Sequence, residues 1–267
     1  MKYKTFTRSK SLAHSAQQRG GLWSFQSSDH LCQVIRGKQD KVLLSFSRGK
    51  DSIATYLHLL EYWDKDSILL YYYYLAPDIP FVERSLDYYE RVFDTQILRL
   101  PSPAFLNGVN SFYLQTPNEM EYIRGDFGKD GLDLWYDGDL QKCNIILADL
   151  AREHFGLPQD CLVAVGNRAD DNLQRGGVIR KHGPIIRKQR KFYPIYDFSI
   201  KDTMGIIRKH GIKLPIDYKI WGRSFDGLDF RFVNPLKKHL PQSYKHLKEW
   251  WPMLDANCAR YSEKYEF

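Results

Sequence analysis

Short apolar runs alternate with stretches of helical spacing along most of this chain. Val42–Phe46 is one such run; after a polar turn, Ile53, Tyr56, Leu57 and Leu60 recur at the spacing of one buried helix face. Ile68–Leu75 is a nearly continuous apolar and aromatic run, the pattern of a parallel strand covered on both faces. Pro77-Asp78-Ile79-Pro80 turns the chain, and Leu86, Tyr89 and Phe93 share one face of a second helix that Pro80 suits as its first residue. Further strands are predicted at Thr95–Leu100, Cys161–Val165 and Phe192–Tyr196. Helices are predicted over 27–37, capped by Ser27 or Ser28 and stopped by Gly37, and over 140–155, stopped by Gly156. Residues 101–140, rich in Gly, Pro, Asn and Asp, predict a long irregular loop, and the tail from Val233 reads as helical. Strands alternating with helices predict an α/β fold: a doubly wound parallel sheet of about five strands with helices on both faces. Three regions follow: residues 1–40, a basic arm ending in a short helix; 41–225, the main domain; and 226–267, a helical tail packed on the core.

Composition narrows the partners more than the fold. The chain has 267 residues, 43% of them hydrophobic and 27% charged, enough for a sizeable core. A formal net charge of +7 favours polyanionic partners, nucleotides or nucleic acid alike. Cys32, Cys143, Cys161 and Cys258 are scattered with no CxxC pair, which argues against a zinc ribbon and fits a reducing cytoplasm. The polar N-terminus has no apolar run of a signal peptide behind it, and no stretch has the length of a membrane span. A cytoplasmic protein is the expectation, with an oligomer allowed.

The chemistry concentrates in Ser47-Arg48-Gly49-Lys50-Asp51-Ser52, between the first strand and its helix. Small hydroxyl residues, one Gly and one Lys at a helix N-terminus suit a phosphate, because exposed N–H groups and the positive end of the helix dipole face the anion. The turn lacks the first Gly of a Walker A loop and is not a G-x-G-x-x-G turn.

Ser45-Phe46-Ser47-Arg48-Gly49-Lys50-Asp51-Ser52 resembles the Ser-Gly-Gly-x-Asp-Ser signature of the PP-loop ATP pyrophosphatases, in the form carried by the phosphoadenosine phosphosulfate (PAPS) reductase-like family. It departs from that form at one position, Arg48 for Gly. Either Arg48 distorts the cradle, since Gly alone adopts positive φ freely, or its guanidinium adds a phosphate contact. After the fourth strand, Gly166-Asn167-Arg168-Ala169-Asp170-Asp171-Asn172-Leu173-Gln174-Arg175 is similar to the family's Gly-x-Arg-x-x-Glu/Asp-Ser-x-x-Arg element, with Asn172 for Ser. Arg168 and Arg175 would be fixed cations for phosphate, with Asp170 or Asp171 orienting them or holding a metal; a surface turn with local Arg–Asp pairs has the same sequence. Pro194-Ile195-Tyr196-Asp197-Phe198 is similar to a further family element and reads as structural, with Ser199 and Asp202 at capping-box spacing behind it. Asp78 stands where the family also carries an Asp.

The resemblance implies an adenine nucleotide α-hydrolase-like (HUP-type) fold. It also implies ATP cleavage between the α and β phosphates, with adenylation of a nucleotide or nucleic-acid substrate and release of pyrophosphate. Lys50, Arg168 and Arg175 would be catalytic. Ser45, Phe46, Ser47, Arg48, Gly49, Asp51, Ser52, Asp78, Gly166, Asp170 and Asp171 would surround the nucleotide, with Asp51 or Asp171 on Mg²⁺. Two alternatives stay open: a sulfonucleotide reductase using Cys258, whose Leu254-Asp255-Ala256-Asn257-Cys258 context differs from that branch's Glu-Cys-Gly-Leu tail, and a non-catalytic nucleotide sensor or nucleic-acid-binding module. The run Arg175–Lys191 holds eight basic residues and no acidic one, and its glycines and Pro184 predict a mobile loop that closes over triphosphate, grips RNA or DNA, or is merely solvated. His14, His30, His58 and His154 show no metal spacing and read as structural or surface, while Trp135, Tyr136, Asp137 and Asp139 either contact a substrate or anchor the long loop.

Overall fold

The structure, a computed structural model, describes residues 25–111, 113–115 and 140–262. The expected arm at 1–20 and the loop residues Trp135, Tyr136, Asp137 and Asp139 lie outside them. The chain divides into two compact units, one comprising residues up to Tyr71 with Arg152–Lys213, the other Tyr72–Ala151 with Leu214 onward.

The first unit opens with α1 (Ser28–Arg36), whose N-cap Ser27 accepts a hydrogen bond from the His30 amide. β1 (Val42–Ser45) leads into α2 (Lys50–Leu59), and β2 (Ile68–Tyr74) runs from the first unit into the second. Val42, Leu43 and Leu44 are all fully buried, so β1 lacks the in–out alternation of a half-exposed strand and sits in the middle of the sheet. α2 is likewise buried on every side from Ser52 to Leu59, and Leu60, beyond its end, reaches solvent. β4 (Val163–Val165) is followed by α6 (Leu173–His182), the two-residue strands β5 (Ile185–Ile186) and β6 (Lys191–Phe192), and α7 (Ile200–Lys209).

In the second unit lie α3 (Pro80–Phe93), with Pro80 in its first turn and Leu86, Tyr89 and Phe93 buried as the spacing predicts, β3 (Ile97–Pro101) and α4 (Pro103–Asn110). α5 (Leu140–His154) runs back into the first unit. The tail is helical: α8 (Asp217–Ile220), α9 (Phe230–His239), α10 (Pro241–Trp250) and α11 (Leu254–Ser262). Phe81, Trp221, Phe225 and Phe232 form an aromatic cluster, with centroids 5.3 Å apart for Phe81–Phe225 and 5.6 Å for Phe225–Phe232. Trp251 is buried against Gly108, where an added Cβ would stand 2.7 Å from the indole.

The sheet has six strands in the order β3-β2-β1-β4-β6-β5 and is flanked by helices. β1 pairs in parallel with β2 (Val42 opposite Ile68) and with β4 (Leu43 opposite Val163); β4 pairs in parallel with β6, and β5 pairs antiparallel with β6. The expected doubly wound parallel sheet is therefore present, and its order reverses between β1 and β4. Ligands of such sheets bind outside the carboxyl ends of the strands at that reversal.

Four local expectations are corrected. The sheet has six strands instead of about five, because Ile185–Ile186 pairs back on Lys191–Phe192. The expected mobile loop from Arg175 to Lys191 is a helix followed by that hairpin: Asn172 caps α6 by accepting from the Arg175 amide, and two glycines do not outweigh a cap and a buried face. The strand expected at Phe192–Tyr196 ends at Phe192, since Pro194 lacks a ladder donor. Within the stretch read as irregular, Pro103–Asn110 is helical, capped by the Ser102 hydroxyl, which accepts from the Phe105 amide.

Candidate functional site

The turn after β1 and the turn after β4 both leave the carboxyl ends of adjacent strands, and the two backbones touch. An added Cβ at Gly166 would stand 2.8 Å from the carbonyl carbon of Asp51 and 3.0 Å from the Ser52 nitrogen. Only a residue without a side chain allows this approach, so Gly166 acts as a spacer that holds the second turn against the first turn of α2.

The first turn has the geometry that an anion cradle needs. Gly49 is the N-cap of α2 with extended backbone, and no side chain caps the helix. Its first amides therefore point outward with the positive end of the dipole behind them. The hydroxyls are ordered among themselves: Ser47 Oγ donates to Ser52 Oγ at 3.2 Å, and Ser52 Oγ donates to the Gly49 carbonyl at 2.9 Å. Thr55 Oγ1 donates to the Asp51 carbonyl at 2.8 Å. Ser47 is exposed and Ser52 buried. Phe46 is core, its amide donating to the Tyr71 carbonyl, while Ser45 ends β1 half-buried.

Arg48 adopts the left-handed conformation, φ 63°, that the family's Gly would adopt without cost, and the whole residue is 1% exposed. The turn thus keeps a glycine-like path, and the guanidinium is packed inside the protein instead of standing in solvent.

Five charged side chains from the two turns form one alternating series. Lys50 Nζ donates to Asp51 Oδ2 at 2.7 Å; Arg168 Nε donates to Asp51 Oδ1 at 2.7 Å; a second Arg168 nitrogen donates to Asp171 Oδ1; and Arg175 Nη1 donates to Asp171 Oδ2 at 2.5 Å. Three cations against two anions leave the series one positive charge in excess. Arg168 is 5% exposed, and a buried charge needs such partners on more than one side. The side chains of Lys50 and Arg175, at the two ends of the series, are 24% and 47% exposed, so the ends face solvent and the middle does not.

Asp51 and Asp171 each have both oxygens engaged by these cations. A magnesium ion would meet an ammonium and two guanidinium groups before a carboxylate, so this donor set does not fit a protein-held Mg²⁺. Asp170 is exposed and takes no part in the series. Asp78 belongs to the second unit, where it too has positive φ, and its charge together with burial pushes the Tyr74 phenol up.

One neighbour of the site carries no motif. Tyr193 is buried just past the carboxyl end of β6; burial raises its phenol pKa, against a hydrogen bond with Asn167 and the charge of Arg175. Position after a parallel strand is the signal that could have found it. Asp197 of Pro194–Phe198 works structurally: its carboxylate accepts from the Ser28 amide at 3.1 Å and from the Ser28 hydroxyl, holding the start of α1. Ser199 and Asp202 form the expected capping box.

Other chemistry-bearing groups do not assemble a second centre among the described residues. Asp29, His58 and Glu61 lie together, but Asp29 faces Nε2 of the buried imidazole and Glu61 faces Nδ1, each at 3.8 Å. One ion cannot use both edges of a single ring. None of the four cysteines is in a disulfide, and burial with the charge of Asp255 pushes the Cys258 thiol up, opposite to what an attacking thiolate needs. No helix among the described residues is long and apolar enough to cross a membrane.

No protein-family model and no curated protein matches the chain. Among solved structures, the chain is similar to an NH3-dependent NAD synthetase from Campylobacter jejuni subsp. jejuni NCTC 11168 in complex with the nitrate ion, at 13% identity over 90% of this chain and 96% of that one, with a TM-score of 0.42. So loose a likeness carries neither fold nor activity from one chain to the other.

Proposed function

We propose that the protein binds ATP at the 47–52 turn and transfers its adenylyl group to an oxygen of a nucleotide or nucleic-acid acceptor, with release of pyrophosphate. One observation carries this reading: the uncapped N-terminus of α2 and the Lys50–Asp51–Arg168–Asp171–Arg175 series meet at the strand-order reversal between β1 and β4. The resemblance of Ser45–Ser52 to the PP-loop signature adds the choice of the α phosphorus.

In this reading the amides of Gly49–Ser52 and the Ser47 hydroxyl take phosphate oxygens. The acceptor oxygen attacks the α phosphorus, the bridging α–β P–O bond breaks, and pyrophosphate leaves with the electron pair. Lys50, Arg168 and Arg175 neutralise the charge that grows on the departing pyrophosphate. Arg168 cannot swing far, being held by two carboxylates, so its charge is in place before reaction and costs no reorganisation. Lys50 exchanges Asp51 for phosphate. Magnesium enters only as the counter-ion of the triphosphate, which brings its own oxygens. The raised Cys258 thiol counts against the reductase alternative.

Calorimetric titration with ATP, together with a pyrophosphate-release assay, tests the reading. Wild type is expected to bind ATP and Lys50→Ala to lose most of that affinity. Unchanged affinity in Lys50→Ala would remove the site assignment. Binding without pyrophosphate release across nucleotide, RNA and DNA acceptors would leave a nucleotide sensor in place of an enzyme.

A further inference from the structure

The basic segment after the site forms a surface with a direction. Arg175, tied to Asp171, starts it at the carboxyl edge of the sheet. α6 then runs ten residues, about 15 Å, and β5 carries the chain on from the carboxyl edge, where the Tyr193 amide donates to the Pro184 carbonyl, toward the amino edge. Gly176 and Ile179 face the protein; Gln174, Val178 and Lys181 form the outward ridge, with exposed Arg180 and His182 beside it. The strand register places the far end: Ile186 lies opposite Lys191, and Lys191 opposite Val163, the first residue of β4. Arg187 and Lys188, both exposed, therefore stand at the amino edge of the sheet, the opposite edge from the 47–52 turn.

At that edge Arg187 lines an open cleft of about 720 Å³ with Lys38, Lys41, Phe25, Ile185 and Cys161. Asp40 and Asp160 are its two acidic neighbours, and Asp40 is already paired with Arg36 at 2.5 Å. The remaining two basic residues of the segment are structural: Arg190 donates to the Gln159 carbonyl at 2.6 Å, and burial beside Arg152 pushes the Lys191 amine down.

We infer that the acceptor is a single-stranded nucleic acid whose backbone follows this path: one nucleotide in the cleft at the amino edge, phosphates along Arg187, Lys188, Lys181 and Arg180, and the reacting end at Arg175. The inference rests on the adenylation reading for its reacting end only. Three features favour a strand over a free nucleotide, an acidic peptide or an anionic membrane. The cations form a line instead of a cluster, which suits a repeating charge. The cleft offers a flat aromatic, Phe25, among lysines, the pairing that takes a base and its phosphate. The line ends at a nucleotide-type site in the same unit.

Fluorescence anisotropy tests it, with a labelled single-stranded oligonucleotide about twelve nucleotides long, over a salt series. Wild type is expected to bind with log K falling linearly in log salt. The double variants Arg180→Gln/Lys181→Gln and Arg187→Gln/Lys188→Gln, all at exposed positions, are each expected to weaken binding about tenfold at low salt and to lessen the salt slope by about 1.4, at roughly 0.7 for each phosphate no longer neutralised. Their ATP affinity stays at the wild-type value. No oligonucleotide binding at low salt, unchanged slopes in both variants, or tighter binding to phosphatidylserine vesicles or to polyglutamate would overturn the inference. Failure of wild type to bind ATP sinks the adenylation reading alone, since the oligonucleotide measurement contains no ATP.

Discussion

Arg168 and Asp51 are 117 positions apart in the chain, and the Nε of one donates to Oδ1 of the other at 2.7 Å. The same guanidinium reaches Asp171, so one buried side chain locks the turn after β1 to the turn after β4. Removing it leaves Asp51 and Asp171 without their shared cation. Arg168→Ala is expected to lower stability by about 3 kcal/mol, as breaking a buried ion pair does. Thermal denaturation checks this; a melting temperature equal to wild type would show that the series is not structural.

Gly166 offers a test of the backbone contact between the two turns. In Gly166→Ala the methyl meets the Asp51 carbonyl and the Ser52 nitrogen, main-chain atoms that no rotamer change can move aside. The expected cost is about 1–3 kcal/mol of stability, together with weaker nucleotide binding, because relief of the clash shifts the first turn of α2. Titration calorimetry separates these effects: a variant that loses stability but keeps full ATP affinity would place the cradle elsewhere.

Arg48 carries both a buried side chain and a left-handed backbone, and two substitutions distinguish the contributions. Arg48→Ala and Arg48→Gly both remove the side chain, but only Gly adopts φ 63° without cost. Arg48→Gly is therefore expected to be more stable than Arg48→Ala by about 1 kcal/mol, measured by urea unfolding. Equal stabilities would mean the turn relaxes out of the left-handed region once the arginine is gone.

The C-terminal helices carry their own pH dependence. Hydrogen bonds from Tyr244 and Lys248, with the charge of Lys237, hold the Asp255 carboxyl down at about 2, against an ordinary 3.8. A depressed carboxyl stabilises the fold above its unfolded pKa and loses that contribution as pH falls through the folded value. Wild type is expected to melt higher than Asp255→Asn near neutrality, and the two melting curves to converge as pH drops from about 4 to about 2. A gap that persists at pH 2 would assign the effect to packing instead of charge.

Elements with strong local signals were legible in the chain itself. Ser27, Pro80, Ser199 with Asp202, and Gly156 with φ 61° all act where capping and turn chemistry puts them. The expected mobile loop failed as a local reading because Gly176 and Gly177 lower helix propensity, whereas the burial of Gly176 and Ile179 decides the outcome. Gly176 has a tertiary reason to be glycine, since an added Cβ would stand 2.8 Å from the Ala169 carbonyl.

Local sequence determined the strand–turn–helix at 42–59, its outward amides and its charged residues, because these depend on contacts between near neighbours. It left Arg48 undecided between distortion and phosphate contact, and Arg168 undecided between a surface pair and a site cation. Tertiary structure decided where both side chains lie. The path of the turn buries Arg48, and the parallel pairing of β1 with β4 brings Arg168 to Asp51. Long-range pairing is set by which strands lie side by side in the sheet, and that order is a property of the whole core and of no single segment.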